Sequence, residues 1–89
     1  MTRKECAALL QNPKYVGDNC AIIFFRSPIS DAVDRRVIWA ENYAESVMWL
    51  NAEIEKYKEW NIPYLAYICG GLFAASDGVF FKEEECKDE

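Results

Sequence analysis

Histidine is absent from this 89-residue chain. With it go the commonest general base, the usual partner of a serine or cysteine nucleophile, and the commonest transition-metal ligand. No CxxC pair occurs among the four cysteines, Cys6, Cys20, Cys69 and Cys86, so a structural zinc site would need scattered thiolates to converge. No stretch approaches the roughly 18 uninterrupted apolar residues of a spanning helix. The N-terminal MTRKECAALLQNP has only the short apolar run CAALL before Gln11 and Asn12, too little for a signal-peptide core. Clustered basic charge is also missing. Residues 1–40 carry six basic and four acidic side chains, a net of +2, whereas residues 41–89 carry four basic and eleven acidic, a net of −7. That balance disfavours direct binding to nucleic acid or to an anionic membrane, both of which reward grouped Lys and Arg. The expectations are no metal, no cofactor, no membrane or nucleic-acid partner, and a cytoplasmic setting with reduced thiols. The even cysteine count leaves a two-disulfide framework, in any of three pairings, as the alternative.

What the chain does have is core. Apolar residues make up 52% and aromatics 15%, too rich for a disordered chain. A chain of this length buries roughly 60 to 65% of the surface it would expose unfolded, enough for one core and not two. Residues 1–82 are therefore expected to form a single compact domain. The closing residues 83–89, EEECKDE, lack apolar periodicity and read as an acidic solvated tail.

Thr2 and Glu5 have the spacing of a capping box, and Asn12-Pro13 stops the run, so residues 2–11 read as a short helix. The following PKYVGDN reads as a loop. CAIIFFR is continuously apolar until its arginine and suits a central strand covered on both faces. Continuing the later apolar stripe backwards would bury Arg36 and expose Ile38, so RRVIWAE reads as a second strand, paired antiparallel to the first through SPISDAVD. Asn42 with Glu45 three residues on marks a helix start, and Asn61 followed by Pro63 marks its end. Within that helix Tyr43, Val47, Leu50, Ile54 and Tyr57 fall inside an arc of roughly 80° and form the expected core face. After Pro63, the pairs Gly70-Gly71 and Asp77-Gly78 predict hairpin turns between strands near 64–69, 72–75 and 79–82. A buried helix from Tyr64 to Ala75 is the competing reading, at a cost of about 1 kcal/mol for each interior glycine. The fold class that follows is α+β in two layers. One long helix packs on a small, mostly antiparallel sheet, with a short N-terminal helix at one edge.

Two features of the long helix bear on function. Trp49, Glu53, Lys56 and Trp60 fall at roughly 220° to 280° from the centre of the apolar stripe, a flank with the aromatic anchors and charged rim of a binding surface. The same indoles could instead lap over the edge of the domain's own core. Opposite the core, Glu41, Glu45, Glu55 and Glu59 form an acidic ridge at roughly 120° to 200°, with Met48 and Ala52 between the two pairs. Such a ridge suits a basic groove, and otherwise is an ordinary solvated face.

Enzymatic candidates are thin, and no catalytic residue is expected. Asp31 and Asp34 could hold Mg²⁺ with solvent but are commoner as turn and cap residues. Gly70-Gly71 lacks the lysine of a phosphate-cradling loop. Ser27, Ser30 and Ser76 have no base to activate them. Cys20 and Cys69 are expected in apolar strands, where burial makes a thiol inert, and Cys86 lies among acids. The reading is a small acidic, non-enzymatic module that inhibits or modulates a larger, basic-surfaced protein, including one that handles nucleic acid. Compact phage-encoded inhibitors of host enzymes or defence complexes share this size and charge, though the likeness is not one of residues. The alternatives are a homodimer or higher oligomer that sequesters a small ligand between subunits, and a minor subunit of a stable complex.

Overall fold

The structure, a computed structural model, describes residues 2–16 and 19–76. Its elements run α1 (Arg3–Gln11), α2 (Pro13–Val16), β1 (Cys20–Arg26), β2 (Val33–Trp39), α3 (Tyr43–Glu59), β3 (Tyr64–Ile68) and β4 (Gly71–Ala75). The described strands form one sheet in the order β2-β1-β3-β4, every neighbouring pair antiparallel. This is the expected α+β arrangement of one long helix and one short N-terminal helix around an antiparallel sheet.

The central strand explains why both faces of the sheet are covered, with α1 lying against the face opposite α3 and not at the edge of the sheet. Ala21 and Ile23 of β1 join Leu50, Ile54 and Tyr57 of α3 in one buried cluster, while Cys20, Ile22 and Phe24 join Cys6 of α1 in the other. A strand covered on both faces needs no polar alternation, which is why CAIIFFR carries none. Against β1, β2 pairs with Ile22 opposite Val37, and it begins at Val33, opposite Arg26. That is two residues earlier than the arginine pair suggests. The connection closes through Ser27 N–H to the Ala32 carbonyl at 2.8 Å and Asp31 N–H to the Ser27 carbonyl at 2.9 Å, with Asp31 at φ 58°.

Capping sets the helix ends. Thr2 Oγ1 accepts from Glu5 N–H at 3.1 Å and Asn42 Oδ1 from Glu45 N–H at 2.8 Å. At the far end of α3, Asn61 N–H donates to the Lys58 carbonyl and Ile62 N–H to the Tyr57 carbonyl, with Asn61 at φ 56°. This is the Schellman pattern, and its apolar partners Ile62 and Tyr57 both lie in the α3 cluster. The PKYV stretch is a correction, since it forms the one-turn α2 rather than a loop. Asn12 Oδ1 accepts from Lys14 N–H at 3.0 Å, and proline at a first helical position gives up a donor that has no intrahelical partner there.

The buried arc of α3 is also rotated from the expected one. Ser46, Leu50, Glu53, Ile54 and Tyr57 are buried, Val47 is half-buried, and Tyr43 is 58% exposed. The shift is about 40° toward Glu53. Two polar residues cause it. The Ser46 hydroxyl donates to the Asn19 carbonyl, making the sheet contact of the first turn, and Glu53 is held by cations described below.

The β3–β4 hairpin turns on Cys69 and Gly70, at φ 52° and 81°, with Ile68 paired to Gly71. Two positive-φ residues at the centre of a two-residue loop give the mirror-image turn whose twist suits a hairpin. The turn therefore lies one residue before the expected Gly70-Gly71, and Gly71 opens β4. The competing buried helix over Tyr64–Ala75 is excluded. The expected strand over residues 79–82 and the acidic tail over residues 83–89 lie outside the described residues. No described helix is long and apolar enough to cross a membrane.

Candidate functional site

The outward side of α3 carries most of the residues singled out from the sequence. Trp49 is 48% exposed, Trp60 65% and Met48 62%. Trp49 and Trp60 are eleven residues apart, about 16 Å along the helix axis, and so act as two separate anchors. Ala44 and Ala52, at i−4 and i+4 from Met48, are exposed as well. The apolar ground around Met48 is therefore broader than one side chain. An indole about half out of water on a small domain is surface that a partner can cover without unfolding anything.

The charges around these rings divide into two kinds. Glu53, expected as rim, is only 5% exposed. Its Oε1 lies 3.4 Å from Arg36 Nη1 on β2 and 3.4 Å from Lys56 Nζ on its own helix. That is a correction: Glu53 is a strut between α3 and the sheet and offers little to a partner. A carboxylate is tolerated there because two cations meet it, and both of those cations stay more than half exposed. Lys56 remains available at the rim. Beside Glu53, the Tyr57 hydroxyl is pushed up to about 12, first by burial and then by the charge and hydrogen bond of the Glu53 carboxylate. Tyr57 also stacks on Phe25 at 5.1 Å between ring centroids, so this corner of the domain is rigidly built.

The acidic ridge has its own geometry. Glu55 and Glu59 are exposed on α3 and Glu45 is half-buried in its first turn. Glu41 precedes the cap residue Asn42, so the helix wheel does not place it; its backbone carbonyl accepts from Asn19 Nδ2 at 3.3 Å. Glu45 and Glu55 stand about 15 Å apart along the axis. The sheet holds α3 at this angle through Ser46 at one end and Glu53 farther along.

Sequence reasoning missed Tyr43 as surface, because its spacing is that of the core stripe. It also did not single out Trp39, 52% exposed and stacked on Tyr15 at 5.9 Å, nor the exposed Ile29 and Leu72. The exposure of Trp39 was in principle legible, since the last residue of an edge strand has few neighbours.

Two concavities lie among the described residues. A cleft of about 500 Å³ at the foot of α3 is lined by Tyr57, Lys58, Asn61, Ile62, Pro63, Tyr64, Ala75 and Ser76, and none of these described lining residues is a carboxylate. Ser76 Oγ there accepts from Tyr64 N–H at 2.9 Å and donates to the Tyr64 carbonyl at 3.3 Å. A groove of about 330 Å³ between α1 and the sheet is lined mainly by Cys6, Ala7, Leu10, Phe24 and Leu65, with Arg3 and Tyr67. Asp31 sits in a turn and Asp34 Oδ1 accepts from Arg35 N–H at 2.7 Å. Among the described residues no group of three or more cysteine, aspartate or glutamate side chains is placed to hold a metal ion. Compared with protein-family models, with curated proteins and with solved structures, the chain matches none of them.

Proposed function

We propose that this chain is a small acidic, non-enzymatic protein-binding module that inhibits or modulates a larger protein with a basic surface, of the kind found on proteins that handle nucleic acid. The observation that carries the reading is the outward side of α3, where Met48, Trp49 and Trp60 lie open to solvent beside Glu55 and Glu59. Tryptophan dominates interface hot spots because it brings a large apolar area and a hydrogen-bond donor in one rigid group. Spaced carboxylates beside it speed encounter with a basic partner and fix register. The size-and-charge analogy with inhibitors of host enzymes or defence complexes belongs to this proposal, as does action in the cytoplasm.

The test is affinity capture from extract of the organism that encodes the chain, with wild type and a Trp49→Ala/Trp60→Ala variant side by side. One dominant, basic-surfaced protein retained by the wild type and lost by the variant is the expected result. Equal capture by both would remove the indoles from the account. A native mass showing that the chain binds only itself would favour the oligomer instead.

A further inference from the structure

We propose that Cys20 and Cys69 form a reversible modification site, in which the exposed Cys69 thiol takes up a small-molecule disulfide and Cys20 resolves it into an internal disulfide. The register brings the two residues together. Ala21 pairs with Ile68, and one step further the Cys69 N–H donates to the Cys20 carbonyl at 2.9 Å. A backbone hydrogen bond of that length next to a paired position sets the two Cα atoms roughly as far apart as hydrogen-bonded antiparallel partners, about 5.5 Å, inside the roughly 4.4 to 6.8 Å that a disulfide spans. Cys20 lies in the α1 cluster, where Leu65 and Tyr67 pack against it; Cys69 follows β3 directly, at φ 52° in the turn, and stands near enough to act electrostatically on the Cys20 thiol.

The two thiols are suited to different steps. Cys69 is exposed in the hairpin turn, whereas Cys20 is sealed in the core. Only the first step requires access. In it the Cys69 thiolate attacks one sulfur of the disulfide R–S–S–R, forming Cys69–S–S–R and releasing one R–S⁻, which takes up a proton. In the second, the Cys20 thiolate attacks Cys69 Sγ, forming the Cys20–Cys69 bond and releasing the other half as R–SH. Two protein thiols and one small disulfide become one protein disulfide and two small thiols, so electrons and atoms balance. Burial first, and then the nearness of Cys69, pushes the Cys20 thiol up. Ring closure therefore accelerates with pH.

The product would clamp the start of β1 to the β3–β4 hairpin. That end of the strand is already tied to α3, where Asn19 receives Ser46 and donates to Glu41.

The experiment treats reduced full-length chain with oxidised glutathione, quenches with acid, and follows intact mass and linked peptides. Wild type and Cys86→Ser should each lose two hydrogens and yield a Cys20–Cys69 linked peptide. Cys20→Ser should stop at a single glutathionyl adduct on Cys69, and Cys69→Ser should form neither product. Closure of the wild-type adduct should quicken roughly tenfold per pH unit below the Cys20 pKa, as its thiolate fraction does. A stable Cys69 adduct in wild type, a linked peptide joining Cys69 to Cys6 or Cys86, or no reaction at all would each overturn the proposal.

Discussion

Replacing Trp49 and Trp60 by alanine separates a binding surface from a core lid by magnitude. A tryptophan presents up to roughly 250 Å² of side-chain area. With Trp49 about half exposed, its truncation returns on the order of 100 Å² of apolar burial to water. At about 25 cal/mol per Å² that is ~2.5 kcal/mol, reduced to about 2 kcal/mol because unfolded chains already hide part of their apolar surface. Trp60, nearly two-thirds exposed, should cost about 1 to 1.5 kcal/mol by the same arithmetic. Phe24, fully buried on the α1 side of β1, sets the contrast, since Phe→Ala in a core costs about 3 to 5 kcal/mol. A domain of this size has roughly 4 to 13 kcal/mol in total. Both single tryptophan variants should therefore stay folded by circular dichroism, with urea midpoints ordered wild type, Trp60→Ala, Trp49→Ala, Phe24→Ala. Against the captured partner, each should weaken binding by about 2 kcal/mol or more, some thirtyfold, as interface anchors do. If both variants unfold as readily as Phe24→Ala, the indoles hold the fold together. If they fold and bind like wild type, the surface is the wrong one.

Three further outcomes follow from the same geometry. Charge reversal by Glu55→Lys/Glu59→Lys should slow association with the partner and flatten its salt dependence, measured by surface-immobilised binding kinetics between about 50 and 300 mM salt; an unchanged salt slope would remove the acidic ridge from the mechanism. Glu53→Gln should lower stability by about 1 to 2 kcal/mol in urea, because the exposed Arg36 and Lys56 regain water while the strut is lost. The Tyr57 hydroxyl is raised from 10.0 to about 12 in the folded chain, so below pH 10 its contribution to stability is intact. As pH rises from 10 toward 12 the unfolded state ionises first and binds fewer protons, and about 2 to 3 kcal/mol is lost. Tyr57→Phe should show that much less alkaline destabilisation than wild type, and ultraviolet titration should find one tyrosine ionising late. In Glu53→Gln most of the shift should persist, since burial is its leading cause; its complete disappearance would make the carboxylate the main cause instead.

The one-dimensional pattern was enough wherever structure is set by local chemistry. Thr2 and Asn42 announce their helices because a side-chain oxygen near N–H groups lacking intrahelical partners is a local event. Asn61 announces an end because few residues adopt a left-handed backbone cheaply. The unbroken apolar run of CAIIFFR announces a strand covered twice, and so a layer on each side. What local reasoning could not provide was the angle at which α3 meets the sheet. Apolar periodicity points to Tyr43, whereas the fold buries Ser46 and Glu53, whose partners Asn19 and Arg36 come from distant parts of the chain.

The candidate surface divides along the same line. That α3 carries two indoles and a ridge of glutamates off its core face is written in residues 41 to 60. That Trp49, Trp60 and Met48 face solvent while Glu53 is drawn inward depends on which neighbours the sheet supplies, and a buried charge is stable only where tertiary structure brings opposite charge to it. The meeting of Cys20 with Cys69 is likewise invisible along the chain. Register, fixed by the two apolar faces of β1 and by the Cys69-Gly70 turn, brings Cys69, the first residue after β3, onto the Cys20 carbonyl.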